Sequence, residues 1–228
     1  MKALVLSSGG VDSTTCLAEA VARFGRENVH TVSFFYGQKH SKELDCAQAV
    51  ADYYGVKNHV LDLSAIFAES NCSLLYNSTD EISHETYAEQ IEETGRVSTY
   101  VPFRNGLMIS AAASLAMSLF GEENTYLYIG AHADDAVGNA YPDCSKRFME
   151  DLASAILMGT YGQVNICSPI IDKNKAQVIE LGIKLKTPYH LTWSCYEGGD
   201  KPCGKCATCK DRAAAFEANG IKDPALEA

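Results

Sequence analysis

The 228-residue chain has no run of about 18 apolar residues, so no segment reads as a membrane-crossing helix. Its start, Met1-Lys2-Ala3-Leu4-Val5-Leu6-Ser7, lacks the long apolar stretch and small-residue cleavage site of a secretory signal. That absence predicts a cytoplasmic protein whose cysteines are reduced thiols or metal ligands rather than disulfides. Basic residues are scarce as well: 19 Lys and Arg stand against 29 Asp and Glu, a formal net charge of −10. Direct nucleic-acid binding depends on neutralising phosphates, so this balance argues against it. Internal repeats and low-complexity tracts are missing. A content of 46% hydrophobic and 21% charged residues is that of an ordinary folded domain.

What is present is alternation. Lys2 to Ser8, Val29 to Tyr36, Asn58 to Leu63, Thr125 to Gly130 and Val164 to Pro169 read as short strands, rich in β-branched and aromatic residues. Between them, Ser13 to Phe24, Lys39 to Tyr54, Phe103 to Phe120, Ser145 to Met158 and Lys173 to Leu185 carry apolar residues at helical spacing. A closing helix is expected over Asp211 to Asn219. Alternating strands and helices predict an open parallel α/β sheet flanked by helices. Residues 64–98, polar and acidic, break the rhythm as an irregular insertion, and residues 191–228 are expected to form a small cysteine-rich segment after a main domain over 1–190.

The junction after the first strand reads Ser8-Gly9-Gly10-Val11-Asp12-Ser13-Thr14. Its glycines allow close backbone approach to a ligand, and the following helix offers free N–H groups and the positive end of its dipole. The string is neither a Walker A sequence nor a dinucleotide fingerprint. An ordinary capped turn would explain two glycines. The whole string, at the carboxyl end of the first strand of an α/β sheet, points instead to a phosphate ligand.

Four of the nine cysteines, Cys195, Cys203, Cys206 and Cys209, follow a C-x7-C-x2-C-x2-C spacing. Four thiolates this close can close a tetrahedral zinc shell with no open position, a structural site. An iron–sulfur cluster or two redox pairs are the alternatives. The other five cysteines, apart from Cys144, read as small core residues.

The phosphate loop resembles the Ser-Gly-Gly-x-Asp-Ser loop of the PP-loop ATP pyrophosphatases, which adenylate an oxygen with ATP and let a nitrogen or sulfur nucleophile displace AMP. Three further strings, Tyr36-Gly37-Gln38-Lys39-His40, Val101-Pro102-Phe103-Arg104-Asn105 and Tyr141-Pro142-Asp143-Cys144, sit at junctions before helices. With Ser194-Cys195-Tyr196 and the cysteine spacing, they make the chain similar, over nearly its whole length, to the 7-cyano-7-deazaguanine synthase family of queuosine biosynthesis.

The resemblance implies a Rossmann-like PP-loop fold and an ATP-dependent ligase. It would convert 7-carboxy-7-deazaguanine and ammonia to the nitrile through an adenylated carboxylate and an amide. Mg²⁺, zinc and a homodimer are implied too. Ser8, Gly9, Gly10, Val11, Asp12, Ser13, Thr14, Thr15, Cys16, Leu17 and Ala18 would hold ATP, with Asp12 near Mg²⁺. Asp12, Ser13, Arg104 and Lys175 are the expected catalytic residues. Tyr36, Gln38, Arg104, Asn105, Tyr141 and Asp143 are expected to hold the substrate, with Asp143 on the N1–H and 2-amino edge of the base and Tyr141 stacked on it. Zinc would be held by Cys195, Cys203, Cys206 and Cys209.

Between Gly130 and Tyr141 the chain departs from the family's more usual Thr-Asp and Ser-Gly residues and carries His132, Asp134 and Asp135. These either hold Mg²⁺ or move protons, or they cap a turn. The departure leaves open a variant that stops at the amide or accepts a modified base. A tRNA thiolase of the same superfamily and a non-catalytic zinc module are the other readings. The charge of −10 counts against the first and the intact phosphate loop against the second.

Overall fold

A computed structural model describes residues 1–82, 85, 87–132 and 140–226 of the chain, with nothing said of the side chains of residues 87 and 88. Five strands form one parallel sheet: β1 (Lys2–Leu6), β2 (Val29–Phe35), β3 (Lys57–Asp62), β4 (Thr125–Tyr128) and β5 (Val164–Cys167). Their order is β3-β2-β1-β4-β5. Among the described residues seven α-helices accompany them: α1 (Val11–Phe24), α2 (Lys42–Tyr54), α3 (Tyr87–Thr94), α4 (Arg104–Phe120), α5 (Lys146–Gly159), α6 (Lys175–Lys184) and α7 (Ala207–Ala218).

The two-residue period of the strands sorts the core into two layers. Ala3, Val5 and Tyr128 pack with Leu17, Val50, Val178, Ile179 and Phe216, which places α1, α2, α6 and α7 on one face. Leu4, Val32, Leu127 and Ile129 pack with Ile109, Ala112, Ala116, Met149 and Ile156, which places α4 and α5 on the other. The central strand β1 is flanked by β2 and β4, so the order reverses between β1 and β4. In such sheets the crevice beyond the carboxyl ends at this reversal is where ligands bind.

The expected open parallel sheet is therefore present, and local differences from expectation have identifiable causes. α2 starts at Lys42 rather than Lys39, because Gln38 bridges Leu75 and the Lys39 amide donates to the Leu74 carbonyl. The 36–40 stretch is thereby drawn onto the insertion. There, Phe67, Cys72, Leu74 and Leu75 join Tyr36 and Val101 in a small core of their own. α7 starts at Ala207, four residues ahead of expectation, with Cys206 at its N-cap. Its residues Ala215 and Phe216 are buried in the main core beside Tyr189. Near them the buried Arg212 guanidinium donates to Asp223 at 2.6 and 2.8 Å and to the Thr192 hydroxyl at 2.9 Å.

Candidate active site

A cavity of about 780 Å³ is lined by residues from the carboxyl ends of β1, β2 and β4 and from the helices around them. One wall is the phosphate loop. Gly9 adopts φ +72°, and a side chain there would collide with the Glu43 carbonyl, the Ala47 amide and Cys46. Glycine thus lets the loop lie directly against α2. Gly130 plays the same part after β4, where a side chain would crowd the Ser13 amide. Gly10 precedes α1 in extended conformation and, having no side chain, makes no capping hydrogen bond to the helix. Its first-turn N–H groups are left for a ligand.

Asp12, Lys175 and His132 meet on this wall. The Lys175 ammonium donates to Asp12 Oδ2 at 2.6 Å, His132 Nε2 lies 3.8 Å from the same oxygen, and Lys175 Nζ lies 3.4 Å from His132 Nε2. Burial alone would raise the Asp12 carboxyl, but the charges of Lys175 and His132 and the hydrogen bond from Lys175 outweigh it and hold its pKa below the ordinary value. Asp12 Oδ1 is buried with no hydrogen-bond partner among the described residues. An orphaned carboxylate oxygen beside a phosphate loop fits a divalent cation. Of the sequence-predicted ATP residues, Ser8, Gly10, Val11, Asp12 and Ser13 line the cavity. Gly9 and Thr14 to Ala18 stand behind it. Thr14 Oγ1 donates to the Gly10 carbonyl at 2.7 Å, Thr15 Oγ1 meets the Tyr189 hydroxyl at 2.7 Å, and Cys16, Leu17 and Ala18 are buried in the core.

The opposite wall brings together the other strings. Arg104 Nη1 donates to the Tyr36 hydroxyl at 3.2 Å, and the guanidinium lies 5.1 Å from the centre of the Tyr36 ring. Burial would lower the Arg104 pKa, but Tyr36, Glu43, Tyr196 and Tyr141 around it more than compensate, so it stays charged. Gln38 turns back on its own loop, accepting from the Tyr36 amide at 2.8 Å. The Tyr141 hydroxyl meets Thr99 Oγ1 at 2.6 Å, which fixes the ring. Asn105 Nδ2 donates to Cys144 Sγ at 3.1 Å. Tyr36, Gln38, Arg104, Asn105 and Tyr141 all line the cavity.

Asp143 does not. It is 3% exposed, and its Oδ2 accepts the Asn105 amide at 2.9 Å, capping the start of α4. Phe103, just before α4, has φ +52°, a strained conformation for a bulky residue. The pair of strings thus forms one joint that aims Arg104 and Asn105 inward. Asp134 and Asp135 lie outside the described residues.

Residues 193–211 form the remaining wall while enclosing the cysteines. The Trp193 amide donates to the Gly9 carbonyl at 2.9 Å. Trp193, Ser194, Tyr196, Thr208 and Asp211 face the cavity. The Sγ atoms of Cys195, Cys203, Cys206 and Cys209 lie within 4.8 Å of one another. Backbone amides of Cys203, Lys205 and Cys206 donate to sulfur at 3.3 Å. The Cys209 thiol beside Cys206, with Thr208 and nearby amides, holds the Cys206 thiol well below the ordinary range. Four converging sulfurs with amide donors fit a tetrahedral metal.

The family model described as queuosine biosynthesis protein QueC matches residues 2–220. The chain belongs to the QueC family. It is 41% identical over 227 residues to the 7-cyano-7-deazaguanine synthase of Archaeoglobus fulgidus, covering 99% of this chain and 90% of that protein. It is also 41% identical over 224 residues to the synthase of the same name from Caldicellulosiruptor saccharolyticus, covering 98% and 94%. Among solved structures, the U34-tRNA thiolase NcsA from Methanococcus maripaludis is similar in fold, with TM-score 0.50 and 16% identity over 96% of this chain and 67% of that one. The family expected from the motifs is the one found, and the PP-loop type of fold agrees.

Two parts of the QueC-family cavity escaped the sequence reading. Glu43, on the first turn of α2, lies three residues past the Tyr36–His40 string and faces inward. α7 contributes Thr208, Asp211 and Ala214. An acidic residue in the first turn of a helix that opens at the ligand end of a strand was the available signal for Glu43.

Proposed function

We propose that this QueC-family chain is a carbon–nitrogen ligase that makes 7-cyano-7-deazaguanine from 7-carboxy-7-deazaguanine and ammonia in two ATP-dependent rounds. The observation that carries the reading is the continuity of the cavity: the phosphate loop and the Arg104 wall face one space. A carboxylate held at Arg104 is thereby within the same enclosure as the phosphates it must attack. In the first round the carboxylate oxygen bonds to the α-phosphorus and pyrophosphate leaves. Ammonia then adds to the carbon, AMP leaves, and the amide remains. In the second round the amide oxygen bonds to the α-phosphorus of a second ATP and pyrophosphate leaves, and loss of AMP and two protons then gives the nitrile. One site serves both rounds because each activates an oxygen on the same exocyclic carbon.

The residues divide the work by their chemistry. Arg104 presents a fork of donors suited to a carboxylate. Tyr141 and Asn105 face the base, and Asp143 seats both through the start of α4. The phosphate loop and the α1 amides hold the triphosphate, and Lys175 moves from Asp12 to the departing pyrophosphate. Mg²⁺ at Asp12 would offset the phosphate charge. Zinc at the four cysteines would be structural. The active unit is a homodimer acting on the free base in the cytoplasm, with no direct nucleic-acid contact.

Incubation with the acid, ATP, Mg²⁺ and ammonium, followed by mass spectrometry of the base, tests the reading. Nitrile is the expected product. Amide as the end product identifies the variant that stops halfway, and turnover only with tRNA and sulfide identifies a thiolase.

A further inference from the structure

The cavity wall carries the carboxylates of Asp12, Glu43 and Asp211 among the described residues. Asp12 is paired with Lys175. Glu43 makes no hydrogen bond or ion pair among the described residues. Its place is fixed by the backbone: the first turn of α2 is pressed against Gly9, where no side chain fits. Arg104 from α4, His40 from the turn before α2 and Tyr36 from the end of β2 surround it electrostatically. Arg104 in turn has the Tyr36 hydroxyl as the hydrogen-bond partner of its guanidinium, and no carboxylate in contact among the described residues. A guanidinium and a carboxylate thus share one cavity without touching.

Glu43 and Arg104 are each only partly exposed, and charges partly withdrawn from water without partners are costly unless a ligand supplies the partners. A substrate carboxylate answers Arg104. Glu43 calls for a small cation rich in hydrogen-bond donors. The proposed reaction contains one, because ammonia at neutral pH is mostly ammonium, and ammonium has no lone pair to attack with until it gives up a proton.

We propose that Glu43 binds the ammonium ion and is the general base of this site. The proposal rests on the ligase reading above. In the first round the Glu43 carboxylate takes one proton from ammonium. The freed lone pair forms the C–N bond at the adenylated carbon. The C–O bond to AMP breaks with its electron pair on the phosphate, and the surplus proton on nitrogen passes to solvent. In the second round the activated nitrogen gives up its two protons, one to Glu43 and one to solvent, as the C–O bond to AMP breaks and the nitrile forms. Burial raises the Glu43 carboxyl above the ordinary carboxylate range, with Arg104 and His40 limiting the rise, and a stronger base suits both transfers.

The test compares wild type with Glu43→Gln using two nucleophiles, ammonium and hydroxylamine. Hydroxylamine is largely unprotonated at neutral pH and needs no base before it attacks. Products from the acid and ATP are measured by mass spectrometry. Glu43→Gln is expected to lower ammonia-dependent turnover by about 100-fold or more, in line with the loss of a general base. Hydroxamate formation is expected to stay within about threefold of wild type, which also reports that the variant is folded. Equal losses with both nucleophiles, or no loss with ammonium, would overturn the proposal. A wild-type protein that makes neither product overturns it together with the reading beneath it.

Discussion

The cavity and the cysteine cluster share residues 193–211, yet they treat polar atoms in opposite ways. The cluster gathers its four sulfurs within 4.8 Å of one another and surrounds them with backbone donors, so its groups answer each other. The cavity keeps Arg104 and Glu43 apart and leaves Asp12 Oδ1 with no partner among the described residues. The first pattern is how a chain stabilises itself, and the second is how it waits for a ligand. The difference gives each side its own signature: changes in the closed region should move stability, and changes in the open one should move rate.

The largest effect should come from the scaffold behind the cysteines. Asp223→Ala strands the buried Arg212 guanidinium and should destabilise by about 3–5 kcal/mol. In a chain of this size that lowers Tm by roughly 6–20 °C, read by thermal unfolding. Arg104→Ala should do the reverse, with Tm little changed and kcat/KM for the acid down by about 100-fold or more, measured by initial rates. A loss of stability equal to that of Asp223→Ala would erase the contrast between the two regions. If the proposed zinc is resident, elemental analysis should find one per chain, and its removal by chelation, or Cys206→Ser, should empty the site and lower Tm by roughly 5–10 °C. Activity should fall with it, because Trp193, Ser194 and Tyr196 line the cavity.

The smallest effect is in pH dependence. The Asp12 pKa is depressed in the folded protein, so the stability from its pairing with Lys175 is fully present above the unfolded value of about 3.9 and lost as pH falls through the folded value. Asp12 should therefore contribute no acid limb to the rate profile above about pH 4. Glu43 is raised instead, and as a base it must be ionised, so turnover with ammonia should fall as pH drops through its pKa. The two carboxylates separate in the pH–rate profiles of wild type and Glu43→Gln: in the variant the limb set by Glu43 should be lost, and turnover with ammonia should instead follow the ionisation of ammonium itself at higher pH.

The sheet was legible because five short β-rich runs alternate with helices whose apolar faces repeat at the right spacing. The phosphate loop and the cysteines were legible because their ligand chemistry is local in the chain. Orientation was not. Thr14 to Ala18 follow the loop without a break, but helix geometry turns them into the core. Asp143 and Glu43 are both acids at helix starts, Asp143 just before α5 and Glu43 in the first turn of α2. Only tertiary packing decides that Asp143 turns to the Asn105 amide while Glu43 turns to the cavity. The start of α7 was missed because Cys206 serves at once as an expected metal ligand and as the N-cap, so its spacing masked the helix behind it.

The central claim is that one cavity carries the same exocyclic carbon through two activations. The direct measurement is a single-vessel assay of 7-carboxy-7-deazaguanine with ATP, Mg²⁺ and ammonium that quantifies acid, amide and nitrile by mass spectrometry alongside AMP. Two activations in one cavity should yield nitrile, with two AMP released for each nitrile formed. Amide accumulating with one AMP apiece, or no acid-dependent AMP at all, would contradict it.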